Sequence, residues 1–236
     1  MGGFAWLSDD EQIRAIEIII SEVNGAIPVV GGLGECGSAR AVAKARAIAR
    51  AGVSHLSMLP PFYYFASQEQ IIAYFSDVAS ASDIPVVLYD NPVMTKNKIQ
   101  PKTVAALVRR IPHLVGMKES DSDMVQLQEL VHICRDYPYF AILTGHEWFF
   151  HQALHMGCAG GVGGLYNLCP QIAVALYEAF QAQNHVLATW LQRDLIDTWQ
   201  IFTCGAIWGG FDEALRHLGL CEASYRRALC HRPRRG

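Results

Sequence analysis

Charged side chains are scarce in this sequence, and the few that it has nearly cancel. Asp, Glu, Lys and Arg make up 17% of the 236 residues, and the formal net charge is −3; an average soluble domain has about a quarter charged residues. Nucleic acids and anionic membrane surfaces attract proteins that have an excess of basic residues, and this chain has no such excess. Nucleic-acid and membrane-surface proteins are therefore disfavoured, and the 51% hydrophobic content favours a buried sheet with subunit contacts.

Long apolar runs and cysteine pairs are also missing. No apolar run reaches the roughly 18 residues of a membrane span, and Met1 to Ser8 has neither the basic nor the apolar region of a secretory signal. The seven cysteines are an odd number without a C-x-x-C pair, which is typical of reduced, scattered thiols and not of a disulfide framework. We therefore expect a cytoplasmic protein.

Strand-like and helix-like segments alternate with short connections for about 150 residues. The predicted strands are Ala26–Val30, Val53–Leu59, Ile84–Tyr89, His113–Lys118, Phe140–Thr144 and Ala159–Val162. The predicted helices are Ser8 to about Gly25, Ser38–Ala51, Ser67–Ser80, Pro101–Arg110, Met124–Cys134, Glu147–Met156, and only helices from Pro170 to about Leu218. This alternation is typical of a parallel α/β sheet, open or closed into a barrel, although a closed (β/α)8 barrel needs eight strands.

A glycine-rich segment, Gly32-Leu-Gly34-Glu-Cys-Gly37, fits the G-x-G-x-x-G pattern of dinucleotide-binding folds. That pattern also requires an acidic residue about 20 residues further on, at the end of the second strand. The second predicted strand instead ends in Met58-Leu59-Pro60-Pro61. A tight turn is therefore favoured over nucleotide binding as the role of these glycines.

Histidines near Glu147 raise the alternative of a metal site. The H-E-x-x-H pattern would need its second histidine at Phe150, but the histidine stands at His151. Glu147, His151 and His155 do share a helical face, at i, i+4 and i+8. A metal on that face remains an alternative to an ordinary polar helix surface, which we favour, and no metal site is predicted.

Reactive side chains gather at the carboxyl ends of the predicted strands. Tyr63 follows the prolines after the second strand, Tyr89 and Lys118 end consecutive strands, Glu147 follows the next, and glycines 160–164 end the last. In parallel α/β folds this edge carries the active site. A lysine beside a tyrosine can supply a nucleophile and a proton shuttle, and exposed glycine amides can bind a carboxylate. Taken alone, Lys118 is better explained as a strand-end lysine that extends into water.

Together these segments resemble the dihydrodipicolinate synthase / N-acetylneuraminate lyase family of class I Schiff-base pyruvate aldolases. The resemblance holds in order and spacing from about Leu7 to Leu220. Its segments are Pro60–Tyr63 with Ser67–Glu69, Ile84–Pro92, Val115–Asp123, Thr144–Glu147 and Gly160–Asn167.

The resemblance implies a (β/α)8 TIM barrel that acts as an aldolase, lyase or hydro-lyase on pyruvate-derived 2-keto acids and assembles as a homo-oligomer, a dimer or a tetramer. Lys118 would form the imine, Tyr89 would shuttle protons, and Tyr63 would be offered to a neighbouring subunit's site. No metal or organic cofactor would be needed, because the protonated imine is the electron sink. The residues that would bind the substrate are Glu147, Gly161, Val162, Gly163 and Gly164.

The amino-terminal end departs from the family pattern. The family begins with a strand, a helix and a second strand ending in a Gly-Thr-Thr-Gly-Glu-like loop, and Met1-Gly-Gly3 falls about where that loop should finish. We therefore expect the first two strands and the threonine pair to be missing, as in a truncated gene model or a fragment, with open sheet edges. The expected domains are a partial barrel with strands 3 to 8 (1–169), the last barrel helix with a helical extension (170–224), and a disordered basic tail (225–236).

A second departure concerns the substrate. The synthases of the family carry an arginine shortly after the catalytic tyrosine, and here the aligned residue is Met94. This argues against dihydrodipicolinate synthase itself and favours an enzyme acting on a 2-keto-3-deoxy sugar acid or a related compound. The alternative is a catalytically impaired or truncated paralogue that acts only as a subunit with full-length homologues.

Overall fold

The computed structural model describes residues 3–203 and 207–222. These residues divide into two compact units. Unit 1 contains residues 3–146 and 156–161, and unit 2 contains the described residues of 147–155 and 162–222. The predicted basic tail, 225–236, lies outside the described residues, and the predicted domain boundary at 169 stays a prediction.

Unit 1 is built on one parallel sheet. Its strands are β1 (Val30–Leu33), β2 (His55–Met58), β3 (Val86–Asp90), β4 (Leu114–Glu119), β5 (Ala141–Thr144) and β6 (Gly160–Gly161). Their order in the sheet is their order in the chain, and every pair is parallel. The predicted α/β fold class is confirmed, with six strands in the described part of the chain.

The helices of unit 1 lie before β1 or between consecutive strands. They are α1 (Asp9–Val23), α2 (Ser38–Arg50), α3 (Gln68–Ala79), α4 (Pro92–Thr95), α5 (Pro101–Arg110) and α6 (Met124–Cys134). Ser8 and Ser67 begin α1 and α3 with capping boxes, in which each serine hydroxyl accepts a backbone N–H of the first turn. The longer helices pack side by side in chain order. The pairs in contact are α1 with α2, α2 with α3, α3 with α5, and α5 with α6.

The two faces of the sheet differ in burial because side chains alternate along each strand. One face carries apolar residues that are almost completely buried: Leu56, Met58, Leu88, Met117 and Ile142. The other face carries half-buried residues: Ser57, Val87, Tyr89, Lys118 and Leu143. At roughly 1.5–3 kcal/mol for each large apolar side chain, burial on the first face drives sheet formation.

The first strand lies later in the chain than the sequence indicates. The prediction placed it at Ala26–Val30, with a glycine turn after it, but β1 spans Val30–Leu33 and includes two of the glycines. A Cβ on Gly31 would lie 2.4 Å from Ile48 Cγ2, and one on Gly34 would lie 2.5 Å from the Phe4 ring. These glycines allow close packing of the backbone against side chains, a use that strand propensity does not anticipate.

Unit 2 is helical. It holds α7 (Phe150–Met156, whose last residue belongs to unit 1), α8 (Pro170–Gln181), α9 (His185–Trp199) and α10 (Ile207–His217). Its core is formed by Phe150, Leu154, Leu165, Leu176, Leu195, Phe202 and Phe211. The helices predicted after Pro170 are therefore present. Among the described helices, none combines the length and the apolar character that crossing a membrane requires.

Candidate active site

Tyr89 and Lys118 stand opposite each other at the carboxyl ends of β3 and β4. They are register partners in the sheet, and both lie on the half-buried face. The Lys118 Nζ lies 4.3 Å from the centroid of the Tyr89 ring, within the range of a cation–π contact. Parallel pairing of consecutive strands thus brings together the two residues that the sequence analysis assigned to nucleophile and proton shuttle.

The hydroxyl of Tyr89 accepts a hydrogen bond from Asn91, the residue immediately before the next helix. Asn91 Nδ2 donates a hydrogen bond of 3.1 Å to the Tyr89 Oη. Asn91 is also the residue before Pro92, which opens α4. The backbone turn after β3 therefore positions an amide donor on the phenol, which fixes the direction in which the ring projects.

A row of buried polar residues lies on the opposite face, one residue after the candidate catalytic pair. Asp90, Glu119 and Thr144 are register neighbours on β3, β4 and β5, and none of them is exposed. Asp90 accepts hydrogen bonds from the Ile99 N–H at 3.1 Å and from Gln126 Nε2 at 3.3 Å. This row was not predicted, although alternation along a strand requires that the residue after a half-buried site residue points to the other face.

Burial changes the acidity of both carboxyl groups in this row. It raises the pKa of Asp90 to about 7, against the hydrogen bond from Ile99, and raises the pKa of Glu119 to about 8, against the hydrogen bond from Asp121. The Asp121 N–H donates to Glu119 Oε1 at 2.6 Å, while Glu119 Oε2 is buried without a hydrogen-bond partner. The geometry therefore favours a protonated Glu119 directly after Lys118.

The loop that follows Lys118 is fixed by an ion pair and a close contact. Lys98 Nζ lies 2.7 Å from Asp121 and 2.9 Å from Asp123. Gly145 faces Ser120, and a Cβ at position 145 would lie 1.7 Å from the serine hydroxyl. These contacts hold the backbone that carries the Lys118 side chain.

The predicted substrate-binding glycines fall on both sides of the unit boundary. In unit 1, Gly161 ends β6 and is the register partner of Thr144. In unit 2, Gly163 packs against Glu147, and a Cβ on Gly163 would lie 2.4 Å from Glu147 Oε1. Val162 is exposed, whereas Gly164 is half-buried and directly precedes the 3₁₀ helix Leu165–Asn167.

Glu147 is engaged within unit 2. Its side chain is buried, and Oε1 accepts a 2.9 Å hydrogen bond from the Leu165 N–H. Its own carbonyl accepts a 2.7 Å hydrogen bond from Gln192 Nε2. The carboxylate therefore supports the start of the 3₁₀ helix after the glycines, and its predicted contact with substrate hydroxyls stays a prediction.

Tyr63 lies on an exposed aromatic loop, which we define as Tyr63–Phe65. Tyr63 is 71% exposed and Phe65 is 83% exposed. Tyr63 has φ +79°, a left-handed conformation that is rare for residues other than glycine, and its ring meets that of Tyr64 edge to face at 4.9 Å. The loop therefore presents aromatic rings to solvent.

Asn97 holds the aromatic loop in place. Its Oδ1 accepts from the Ala66 N–H at 2.8 Å, and its Nδ2 donates to the carbonyls of Pro61 at 2.7 Å and Tyr64 at 2.8 Å. The side chain is buried. Sequence reasoning missed this residue, because its partners lie more than thirty positions earlier in the chain.

Comparison with known proteins places these features in context. The model of the dihydrodipicolinate synthetase family matches residues 1–232. An uncharacterised DapA-like lyase of Halobacterium salinarum is 30% identical over 214 residues, which cover 91% of this chain and 69% of that protein. A 4-hydroxy-tetrahydrodipicolinate synthase of Methanopyrus kandleri is 30% identical over 195 residues, covering 83% of this chain and 64% of that enzyme.

The fold also matches solved structures. The chloride-inhibited dihydrodipicolinate synthase of Acinetobacter baumannii, solved in complex with pyruvate, superposes with a TM-score of 0.88. The two chains are 23% identical, and the match covers 95% of this chain and 76% of that one.

Proposed function

Because this chain belongs to the dihydrodipicolinate synthetase family, whose relatives include lyases, we propose that it is a Schiff-base lyase or aldolase of pyruvate-derived 2-keto acids. The observation that carries the proposal is the placement of Lys118 Nζ 4.3 Å from the Tyr89 ring, at adjacent strand ends. A primary amine at this position is the group that attacks ketones to form imines. The pyruvate complex of the related Acinetobacter baumannii enzyme supports pyruvate as the first compound to test.

The proposed chemistry begins with the neutral amine of Lys118. Nζ attacks the ketone carbon of the keto acid and forms a C–N bond, and the oxygen gains a proton to give a carbinolamine. Loss of water then leaves a protonated imine. Loss of a proton from the neighbouring carbon gives an enamine, which attacks an aldehyde carbon; the reverse sequence cleaves that C–C bond. The Tyr89 hydroxyl, held by Asn91, supplies and removes these protons.

The resemblance to the family assigns the remaining predicted residues to the ends of the substrate. The backbone N–H groups of Gly161, Gly163 and Gly164 and the carbonyl at Val162 would contact the keto-acid end, since backbone N–H groups near a strand end can bind carboxylates. Glu147 would meet hydroxyl groups of the rest of the molecule. Its Oε1 is already committed to the Leu165 N–H, so the second carboxylate oxygen is the one proposed to contact substrate.

Met94 supports a substrate other than the one used by the synthases. It lies on α4, directly after the Tyr89–Asn91 turn, and is 68% exposed. A thioether cannot pair with a second carboxylate as an arginine does. We therefore propose that the chain acts on a 2-keto-3-deoxy sugar acid or a related compound, whose aldehyde part lacks a second carboxylate, with dihydrodipicolinate synthesis as the competing assignment.

Reductive trapping tests the proposal directly. The purified chain is incubated with pyruvate and borohydride, and the modified residue is located by peptide mass spectrometry. We expect a reduced adduct on Lys118, no adduct in Lys118→Arg, and an unchanged adduct in Lys102→Arg, an exposed lysine on α5. A folded wild-type chain that never acquires the adduct at Lys118 would contradict the assignment.

The role of Tyr89 is tested by the same reaction followed in time. Tyr89→Phe keeps the ring under Lys118 but removes the hydroxyl, so imine formation should slow by about 10²–10⁴-fold, as for loss of a general acid–base group. The final amount of adduct should be unchanged, because the nucleophile remains. An unaltered rate would remove Tyr89 from the proton-transfer role.

We also propose that the aromatic loop, Tyr63–Phe65, is covered by another subunit. Three adjacent exposed aromatic rings are unusual on a free surface, and exposed apolar patches commonly mark interfaces. A second copy of this chain is the favoured partner. A longer member of the family is the alternative, and co-purification followed by mass spectrometry of the complex separates the two.

A further inference from the structure

Three histidines of unit 2 converge on one another. His151 and His155 are one turn apart on α7, and His185 is the first residue of α9. One nitrogen from each ring lies within 4.8 Å of the other two. Among the described residues, these three histidines form a group of side chains that could together hold a metal ion. All of the potential ligand atoms are imidazole nitrogens.

The distances suit coordination to a single ion. The Nε2 atoms of His151 and His155 are 3.1 Å apart. Two imidazole nitrogens bound to a tetrahedral zinc at 2.0–2.1 Å would be about 3.3 Å apart. His185 is exposed, so its side chain can change rotamer. A movement of its ring nitrogen by less than about 2 Å would bring that atom to the same distance from the nitrogens of His151 and His155.

Packing holds the three imidazoles next to one another. Phe180 of α8 meets His155 edge to face at 5.0 Å and His185 at 5.9 Å. His151 is buried, and its ring meets the same phenylalanine edge to face at 6.2 Å. The backbone N–H of His151 donates to Gln192 Oε1 at 2.8 Å, which ties α7 to α9 near the cluster.

We infer that His151, His155 and His185 form a binding site for a divalent transition metal, with zinc as the first candidate, and that the ion would link α7 to the start of α9. Imidazole nitrogens favour Zn²⁺, Cu²⁺ and Ni²⁺ over Mg²⁺ and Ca²⁺. Three protein ligands leave a fourth position for water. The helical face containing Glu147, His151 and His155 thus supplies two ligands, and the third comes from His185, which is far away in sequence.

Metal titration of the full chain tests the site. The protein is purified without a histidine tag, treated with a chelator, and titrated with Zn²⁺ in a calorimeter. We expect one ion per wild-type chain, and loss of that site in both His155→Gln and His185→Gln. These two side chains are exposed, so their replacement should leave the fold intact. His132→Gln, an exposed histidine on α6, should bind like the wild type.

Two further measurements guard against binding elsewhere. Replacing Zn²⁺ with Co²⁺ should give the visible absorption of a four-coordinate nitrogen site in the wild type and in His132→Gln alone. Zinc at one hundred times its dissociation constant should raise the wild-type Tm by about 5 °C or more, with no rise in His155→Gln. Binding that survives in both ligand variants, as at the exposed thiols of Cys36 and Cys221, would overturn the inference, as would a wild-type chain that binds no zinc.

Discussion

At the scale of single residues, alternation along β3 and β4 separates two kinds of chemistry. Tyr89 and Lys118 face the half-buried side, and the next residues, Asp90 and Glu119, are enclosed on the other. A pair of carboxyl groups there is costly to ionise, because burial disfavours the charged form. The strands that deliver a candidate nucleophile therefore also carry acids that are protonated near neutral pH.

Glu119 should make the stability of the fold depend on pH. Its pKa rises from 4.5 to about 8 on folding, so its contribution is complete below about pH 4.5 and is lost as the pH rises through about 8. In Glu119→Gln this loss disappears: at pH 5 the variant should match the wild type within about 1 kcal/mol, and at pH 9 it should be more stable by about 2–4 kcal/mol. Urea unfolding at both pH values measures the difference.

The control for this prediction is Glu129→Gln, an exposed glutamate on α6, which should leave the pH dependence unchanged. Equal destabilisation of Glu119→Gln at pH 5 and pH 9 would show that the glutamine disrupts packing and that ionisation is not the cause.

Gly163 should be intolerant of even one added methyl group. In Gly163→Ala the Cβ would lie 2.4 Å from Glu147 Oε1, which would push the carboxylate from the Leu165 N–H. The expected loss is about 1–3 kcal/mol in the free energy of unfolding. Gly209→Ala in α10, where a Cβ meets nothing within 4 Å, should instead gain up to about 1 kcal/mol. Similar values for both variants would argue against the contact.

At the scale of elements, the conformation of the aromatic loop depends on hydrogen bonds from Asn97, a residue outside the loop. Asn97 makes three hydrogen bonds to the backbone on both sides of the loop, so Asn97→Ala should cost about 2–4 kcal/mol and leave buried polar groups unpaired. Amide hydrogen exchange of Phe62–Ala66 should accelerate. Asn167→Ala, which removes one exposed hydrogen bond, is the matched control, and unchanged exchange in Asn97→Ala would rule out this role of Asn97.

Elements formed by local rules could be predicted from the sequence, and those formed by distant contacts could not. The capping serines of α1 and α3 and the adjacency of Tyr89 and Lys118 follow from short patterns and from the pairing of consecutive parallel strands. The position of β1 was missed because Gly31 is required by its close approach to the side chain of Ile48, which strand propensity does not register. His185 joins two other histidines only because α9 packs against the segment that leads into α7, where Gln192 accepts a hydrogen bond from the His151 N–H.

At the scale of the whole molecule, the exposed aromatic loop should decide the oligomeric state. Light scattering on a sizing column should give the mass of a dimer or a tetramer for the wild type. Phe65→Asp should lower that mass, because a charge cannot be buried cheaply in an apolar interface. Val125→Asp changes another residue that is highly exposed, at 79%, and should leave the mass unchanged. A wild-type monomer, or an unaffected Phe65→Asp assembly, would contradict the proposal.

The strand order has a consequence for how the protein is made. Each strand pairs with the one that precedes it in the chain, and a ribosome releases the chain from its amino terminus. Pairing a strand with its predecessor closes a shorter loop than pairing it with a more distant strand, and a shorter loop costs less entropy to close. The sheet can therefore grow in the order of translation, and Tyr89 meets Lys118 as soon as β4 has emerged. A nascent chain that ends shortly after Glu119 already contains the amine and its aromatic neighbour, before Glu147 and Gly163 have been synthesised.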